Sequence, residues 1–176
     1  MVDILHKNSS LRTAIAEATV VVSSEATIEA IEHKKVPKGD VFEFSRAAGL
    51  LAIKKTSDLI PDCHPLPIEK AAITFHIEDR QIIITVEVAT IYKTGVEVEA
   101  MHGASLTALT IYDMLKPIDS QIEIQHIRLL EKKGGKKDYQ DELKRELKIA
   151  VIVCSGSVHQ GSKADKSGLT IQEEQK

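Results

Sequence analysis

The chain has 176 residues, of which 43% are hydrophobic and 28% are charged, and its formal net charge is -3. This balance is typical of a folded globular protein and excludes a disordered chain. The small acidic excess argues against a general nucleic-acid-binding protein, which needs basic residues to neutralise phosphates. A local cluster of cations could still bind a small phosphorylated substrate.

The sequence carries no pattern of a metal site, a cofactor site or an export signal. Its two cysteines, Cys63 and Cys154, are far apart and form neither a metal-ligand spacing nor a disulfide framework. Glycine motifs of phosphate-binding or dinucleotide-binding loops are absent from it. The N-terminus does not read as a signal peptide, and no apolar run has membrane-spanning length. We therefore expect a cytoplasmic protein without a metal, a cofactor or a membrane partner.

The first half of the chain predicts one strand, two helices and an irregular loop. Residues 11–22 have the apolar pattern of a strand, and residues 25–33 that of a short helix. Asp40 is a suitable N-cap for a second helix over residues 41–57. Three prolines within residues 59–67 predict irregular structure in that segment.

The second half predicts a hairpin, a long helix and a last strand. Residues 71–78 and 81–92 read as two strands joined by a short turn. A helix over residues 95–116 ends before a proline, and residues 121–130 form another strand. This order of elements predicts an α+β fold of the ferredoxin-like type, with an antiparallel sheet and helices packed on one face.

The C-terminal part does not read as a finished domain. Residues 132–137 form a basic, glycine-containing loop, and residues 138–147 are charged and predict a helical linker. Residues 148–154 have the pattern of a buried strand, and a polar tail runs from there to residue 176. One strand cannot bury its apolar side chains alone, so we expect residues 148–176 to be the beginning of a further domain.

The long helix has an apolar stripe that includes an acidic residue. At about 100° per residue, its core face is formed by Met101, Ala104, Ala108, Ile111 and Leu115. Glu97 falls on the same face, where an unpaired carboxylate would be costly. Either the helix begins after Glu97, or Glu97 has a partner, or the first turn is frayed and exposes it.

A second stripe of the same helix carries polar residues, namely Glu99, His102, Asp113 and Lys116. Asp113 and Lys116 are three positions apart and can meet, and their ordinary interpretation is a surface ion pair. Glu99 and Asp113 are about 21 Å apart along a straight helix. If both belong to one small site, that site must be assembled from two subunits.

Two further places in the sequence hold residues that could react with a ligand or bind one. Cys63 and His64 lie between prolines in the irregular segment, where they could be a nucleophile or metal pair, or a structural histidine in a rigid loop. Lys38 precedes a helix N-terminus, which favours bound anions.

Several segments together resemble the MoaC family of molybdenum cofactor biosynthesis. The matching stretches are MVDI at 1–4, KGDVF at 38–42, LIPDCHPL at 59–66, KTGVEVEA at 93–100, ALTIYDMLK at 108–116 and GGK at 134–136. They occur in the family's order and spacing. The sequence departs from the family pattern at Asp62, where an apolar residue is common, and at Lys133 and Lys137, where serine is usual.

The resemblance implies both an assembly and a reaction. It implies a ferredoxin-like subunit in a homohexamer, a trimer of dimers, with active sites at the dimer interface. The substrate would be a cyclised triphosphate derived from GTP, which a lyase rearranges to cyclic pyranopterin monophosphate with release of pyrophosphate. A non-catalytic binding scaffold and a small-molecule sensor of the same fold are the alternatives, although a scaffold would need none of the reactive residues.

The resemblance also implies roles for individual residues. Asp113 and Lys116 would be the central catalytic pair, and Lys38 would assist acid–base chemistry or hold the phosphates. The residues that would bind the substrate are Asp62, Cys63, His64, Glu97, Val98 and Glu99. The lysine loop at 132–137 would close over the triphosphate. Residues 148–176 resemble the opening of a molybdopterin-binding domain of the MoaB/Mog type, which makes residues 1–137 the synthase domain.

Overall fold

The structure is a computed structural model that describes most of the chain. The described residues are 1–135, 138, 152, 154–166 and 169–171. The chain forms two compact units, Met1–Gln140 and Asp141–Lys176. Most of the predicted linker at 138–147 and most of the predicted strand at 148–154 lie outside the described residues.

The first unit contains four strands and four helices among its described residues. In chain order they are β1 (Ser10–Val21), α1 (Glu25–Glu32), α2 (Val41–Lys54), α3 (Thr56–Leu59), β2 (Lys70–Glu78), β3 (Gln81–Tyr92), α4 (Glu97–Leu115) and β4 (Glu123–Lys133). The strands form one sheet in the order β2-β3-β1-β4, and every neighbouring pair is antiparallel. Helices α2 and α4 pack against this sheet. The predicted α+β fold is confirmed.

Small residues allow α4 to lie close to the middle of the sheet. Alternate residues of β1 are buried, among them Ala14, Ala16 and Ala18, and α4 buries a matching row of alanines, Ala100, Ala104 and Ala108. Short side chains on both elements shorten the distance at which two surfaces can pack. The branched residues Ile82, Ile84, Val86 and Val88 of β3 complete the buried face of the sheet.

Helix α2 is fixed at its start and at its crossing with α4. The Asp40 carboxylate accepts a hydrogen bond from the Glu43 amide at 3.2 Å, which confirms the predicted N-cap. At the crossing, a side chain on Gly49 would overlap the Thr107 hydroxyl, so the two helices can approach only with glycine at this position. The cap leaves Lys38 just before the first turn of α2.

Two predicted boundaries were wrong. The helix expected at 41–57 is divided into α2 and α3, with Lys55 between them. Lys132 and Lys133 belong to β4 and not to a loop, because the N-terminal half of β1 continues to pair with them, Thr13 with Lys133 and Ala14 with Lys132. The pairing of β1 with β4 contains two register shifts, which are β-bulges or irregularities.

The second unit contains one short helix, α5 (Gly156–His159), among its described residues. The Ser155 hydroxyl accepts a hydrogen bond from the Val158 amide at its start. In the described parts of both units, no helix is long and apolar enough to cross a membrane.

The turn after β4 depends on a glycine. Gly134 has a φ of +103°, and a side chain there would overlap the Leu11 carbonyl oxygen. We expect Gly134→Ala to lower the free energy of unfolding by about 2–4 kcal/mol, because backbone strain and overlap add. Urea denaturation at fixed protein concentration measures this change. Gly135→Ala is the matched control, since its nearest neighbour would be the Arg12 guanidinium at 4.0 Å. An equal loss in both variants would contradict the prediction.

Candidate active site

The segment before α2 and the end of α4 bring Lys38, Asp113 and Lys116 together. The Lys38 ammonium donates to the Asp113 side chain at 2.7 Å and to its main-chain carbonyl oxygen at 2.7 Å. The Lys116 ammonium lies 2.8 Å from the other carboxylate oxygen of Asp113. Lys38 comes from the segment before α2, Asp113 from the last turn of α4, and Lys116 from its C-cap. We call these three residues the lysine–aspartate cluster.

Lys38 and Lys116 stabilise the negative charge of Asp113. The hydrogen bond from Lys116, and then that from Lys38, lowers the pKa of Asp113 from 3.8 to about 2. Asp113 in turn raises the pKa of Lys116. All three groups are at least one-third exposed, so this pairing contributes little to stability in water. Two ammonium groups placed on one carboxylate leave a local excess of positive charge, which suits a phosphorylated ligand.

The lowered pKa of Asp113 can be measured directly. A carboxyl-group NMR titration should give a midpoint of about 2 for Asp113, and Lys116→Ala should move it towards 3.8. Because the pKa is depressed in the folded protein, the ion pairs are complete above about pH 4 and are lost as the pH falls through about 2. A midpoint near 3.8 in the unaltered protein would contradict the cluster geometry.

At the opposite end of α4, the buried acid is Glu99 and not Glu97. Glu99 is only 2% exposed, and its carboxylate accepts a hydrogen bond from the Cys63 thiol at a distance of 3.3 Å. Burial raises the pKa of Glu99, and burial together with the Glu99 carboxylate raises the pKa of Cys63 to about 11. Residues 60–64, called the 60–64 segment below, cover Glu99. At the N-terminal end of α4, the predicted polar stripe therefore faces this segment.

Glu97 has a partner and lies in the helix. Helix α4 begins at Glu97, and the Glu97 carboxylate lies 3.3 Å from the Lys132 ammonium. Of the three alternatives that the sequence left open, the structure therefore has the one in which Glu97 has a partner. Lys132 can reach Glu97 because the pairing of Lys132 with Ala14 of β1 keeps this part of β4 in the sheet beside α4.

The other predicted site residues lie near this end of the helix or at its surface. The His64 imidazole lies 2.8 Å from the Val2 carbonyl oxygen, so the N-terminal segment packs on the 60–64 segment. Asp62 forms an ion pair with the Met1 amino group, which lowers the pKa of Asp62. Val98 is exposed on the first turn of α4.

A basic concavity beside Glu97 was not predicted from the sequence. It has a volume of about 820 Å³, and its lining includes His6, Lys7, Arg12, Lys93 and Gly134. The Arg12 guanidinium donates to the Tyr92 carbonyl oxygen at 3.3 Å, and the Lys93 ammonium donates to the Leu5 carbonyl oxygen at 3.2 Å. These cations are isolated in sequence, and only the pairing of β1 with β3 and β4 brings them together. Lys93 belongs to the KTGVEVEA stretch of the family resemblance, whereas no quoted stretch contains Lys7 or Arg12.

The two ends of α4 thus carry two separate sets of functional groups. Glu99 and Asp113 are about 21 Å apart along the helix, so within one chain the sequence-predicted residues do not form a single site. In the described part of the chain, no group of three or more His, Cys, Asp and Glu side chains could hold a metal ion.

Comparison with known proteins places this chain in a family. Residues 1–135 match the MoaC family. A cyclic pyranopterin monophosphate synthase of Clostridium perfringens (strain SM101) is 49% identical over 138 residues, which cover 77% of this chain and 87% of that protein. The synthase of Pelobacter propionicus is 50% identical over the same share of this chain and 86% of its own length. That of Nitratidesulfovibrio vulgaris is 46% identical, with 77% and 85% covered. The chain belongs to the MoaC family.

Proposed function

We propose that this protein is a cyclic pyranopterin monophosphate synthase, a lyase of molybdenum cofactor biosynthesis. It converts a cyclised dihydroguanosine triphosphate, derived from GTP, into cyclic pyranopterin monophosphate and releases pyrophosphate. The observation that carries this proposal is the lysine–aspartate cluster, in which two ammonium groups share one carboxylate at 2.7–2.8 Å in a chain of the MoaC family.

The electrostatics of the cluster divide the catalytic roles. A carboxylate with a pKa of about 2 is a poor base at neutral pH, so Asp113 orients the two lysines. Lys116 is cationic at neutral pH, and Asp113 raises the pKa of Lys116 further. As pyrophosphate leaves, negative charge develops on phosphate oxygens, and the ammonium groups of Lys38 and Lys116 stabilise that charge.

The other end of α4 supplies the substrate-binding side of the proposed site. The basic concavity, with Lys7, Arg12 and Lys93, offers cations for a triphosphate. Glu97 and the 60–64 segment, which carries Asp62, Cys63 and His64, lie at the same end of the helix, where Glu97 and His64 would contact the guanine-derived ring. A guanine-derived ring presents N–H donors, for which the Glu97 carboxylate is an acceptor.

A complete site requires a second copy of the chain. A two-fold axis near the middle of α4 would place two copies of the helix antiparallel, so that Asp113 of one copy approaches Glu97 of the other. The outer surface of α4 offers apolar residues for such a contact, since Val98, Leu109 and Tyr112 are each more than one-third exposed. Three such dimers would form the homohexamer that the family resemblance implies.

We also propose the domain organisation and location that the sequence predicted. The family match over residues 1–135 and the compact unit Met1–Gln140 support a synthase domain over residues 1–137. The linker at 138–147 and the MoaB/Mog-like beginning at 148–176 rest on the sequence pattern alone. Cys63 and Cys154 are free thiols, which is usual in a reducing cytoplasm.

A coupled turnover assay tests the proposed function. The radical enzyme that cyclises GTP supplies the substrate, and the pyranopterin product is oxidised to a fluorescent pterin and quantified. We expect product only when both proteins are present. A folded, oligomeric protein that binds the cyclised triphosphate without forming product would instead be a binding scaffold, and tight binding of a different ligand would indicate a sensor.

A further inference from the structure

Two polar links hold the 56–64 segment on one face of α4. At one end of the segment, the Thr56 hydroxyl lies 3.1 Å from His102 Nδ1. At the other end, the Cys63 thiol lies 3.3 Å from the Glu99 carboxylate. His102 and Glu99 are three positions apart on α4 and therefore share a face. The segment is thus attached to the helix at both ends.

The hydrogen-bond directions follow from the available protons. The Thr56 hydroxyl lies 3.1 Å from the carbonyl oxygens of Ala52 and of Ile53, so its single proton is directed to the preceding turn. His102 must then donate through Nδ1–H to the Thr56 oxygen. A Glu99 carboxylate has no proton to give, so the Cys63 S–H is the donor in the second link. The buried acceptor would lose a hydrogen bond if the thiol were removed.

The surroundings of Cys63 do not favour a nucleophile. Its pKa is raised to about 11 by burial and by the Glu99 and Glu97 carboxylates, so almost no thiolate exists at neutral pH. Reactive cysteines are found next to cations or at helix N-termini, where the thiolate is stabilised. Here the nearest charged partner is an acid, which stabilises the protonated thiol.

We propose that Cys63 is a positioning residue, whose S–H bond to Glu99 fixes the 60–64 segment, and with it His64, against the first turn of α4. The inference rests on the proposed function, because His64 is expected to face the substrate there. Glu99 is buried and Cys63 is half-buried, so the S–H bond attaches the segment to the buried side of the helix. A displacement of about 1 Å in a positioning group can lower a rate about a hundredfold.

The test uses the full chain carrying Cys154→Ser, so that Cys63 is the only thiol. In this background, Cys63→Ser retains a donor and should keep kcat within about threefold. Cys63→Ala should lower kcat roughly tenfold to a hundredfold, and it should also lower the thermal midpoint by a few degrees because the buried Glu99 loses its donor. The infrared S–H stretching band of the background protein should shift to higher frequency in Glu99→Gln, because an amide oxygen is a weaker acceptor than a carboxylate.

Three outcomes would overturn the inference. The first is a Cys63→Ser protein that is as impaired as Cys63→Ala, because equal losses would indicate thiol chemistry. The second is a fully active Cys63→Ala protein. The third is an S–H band that does not shift in Glu99→Gln. If Cys63→Ala does not fold, the serine variant and the S–H band decide. Absence of product from the Cys154→Ser protein would contradict the proposed function, whereas the S–H band would still report on the hydrogen bond.

Discussion

Replacement of Asp113 by asparagine is expected to lower kcat by about two to four orders of magnitude, the range that positioned acid–base and charged groups contribute. Asparagine keeps the size of the side chain but removes the charge that holds Lys38 and Lys116 at 2.7–2.8 Å. The two ammonium groups would repel each other and separate. The coupled turnover assay measures the loss, and Lys116→Ala should show a loss of similar size.

The matched control is another exposed aspartate in the same geometry. Asp58 pairs with Lys55, three positions away, at an N–O distance of 2.8 Å and with similar exposure. Asp58→Asn removes the same kind of surface ion pair, which is worth little in stability. It should leave kcat unchanged within about twofold. If Asp113→Asn were as active as Asp58→Asn, the cluster would be an ordinary surface ion pair.

Two inactive variants with changes at opposite ends of α4 should restore each other's activity. We expect Asp113→Asn and Arg12→Glu each to be inactive, the first through the cluster and the second by repelling the triphosphate from the basic concavity. Co-expressed chains would form mixed dimers in which one of the two sites is intact. Random pairing of equal amounts gives about a quarter of the activity of the unaltered protein.

The control for this experiment is a pair of changes at the same end. Asp113→Asn co-expressed with Lys116→Ala leaves every site defective, because both changes fall in the lysine–aspartate cluster, and activity should stay at background. Restored activity in this control would mean that the variants are not truly inactive. No recovery with Asp113→Asn and Arg12→Glu, despite mixed dimers detected by mass, would contradict a site shared between two copies.

Local patterns in the sequence were enough to predict the elements and one contact of the site. The apolar content of β1, the period-two alternation in β3 and the stripe on α4 are local patterns, so the strands and the long helix were predicted within a few residues. The N-cap at Asp40 and the meeting of Asp113 with Lys116 follow from helix geometry alone. The motifs of the MoaC family likewise lie within short segments of the sequence.

Tertiary packing decided the rest, because it joins groups that no local rule relates. Lys38 reaches Asp113 across 75 positions, since the start of α2 lies beside the end of α4. Glu99 is buried because the 60–64 segment covers one side of α4. Glu97 is paired because β4 continues as far as Lys133 and brings Lys132 to the other side of the helix. The basic concavity draws its cations from separate strands and loops. The sequence by itself determined the elements, the family and the residues to consider; the tertiary structure determined which of them meet, because burial and charge depend on neighbours distant in the chain.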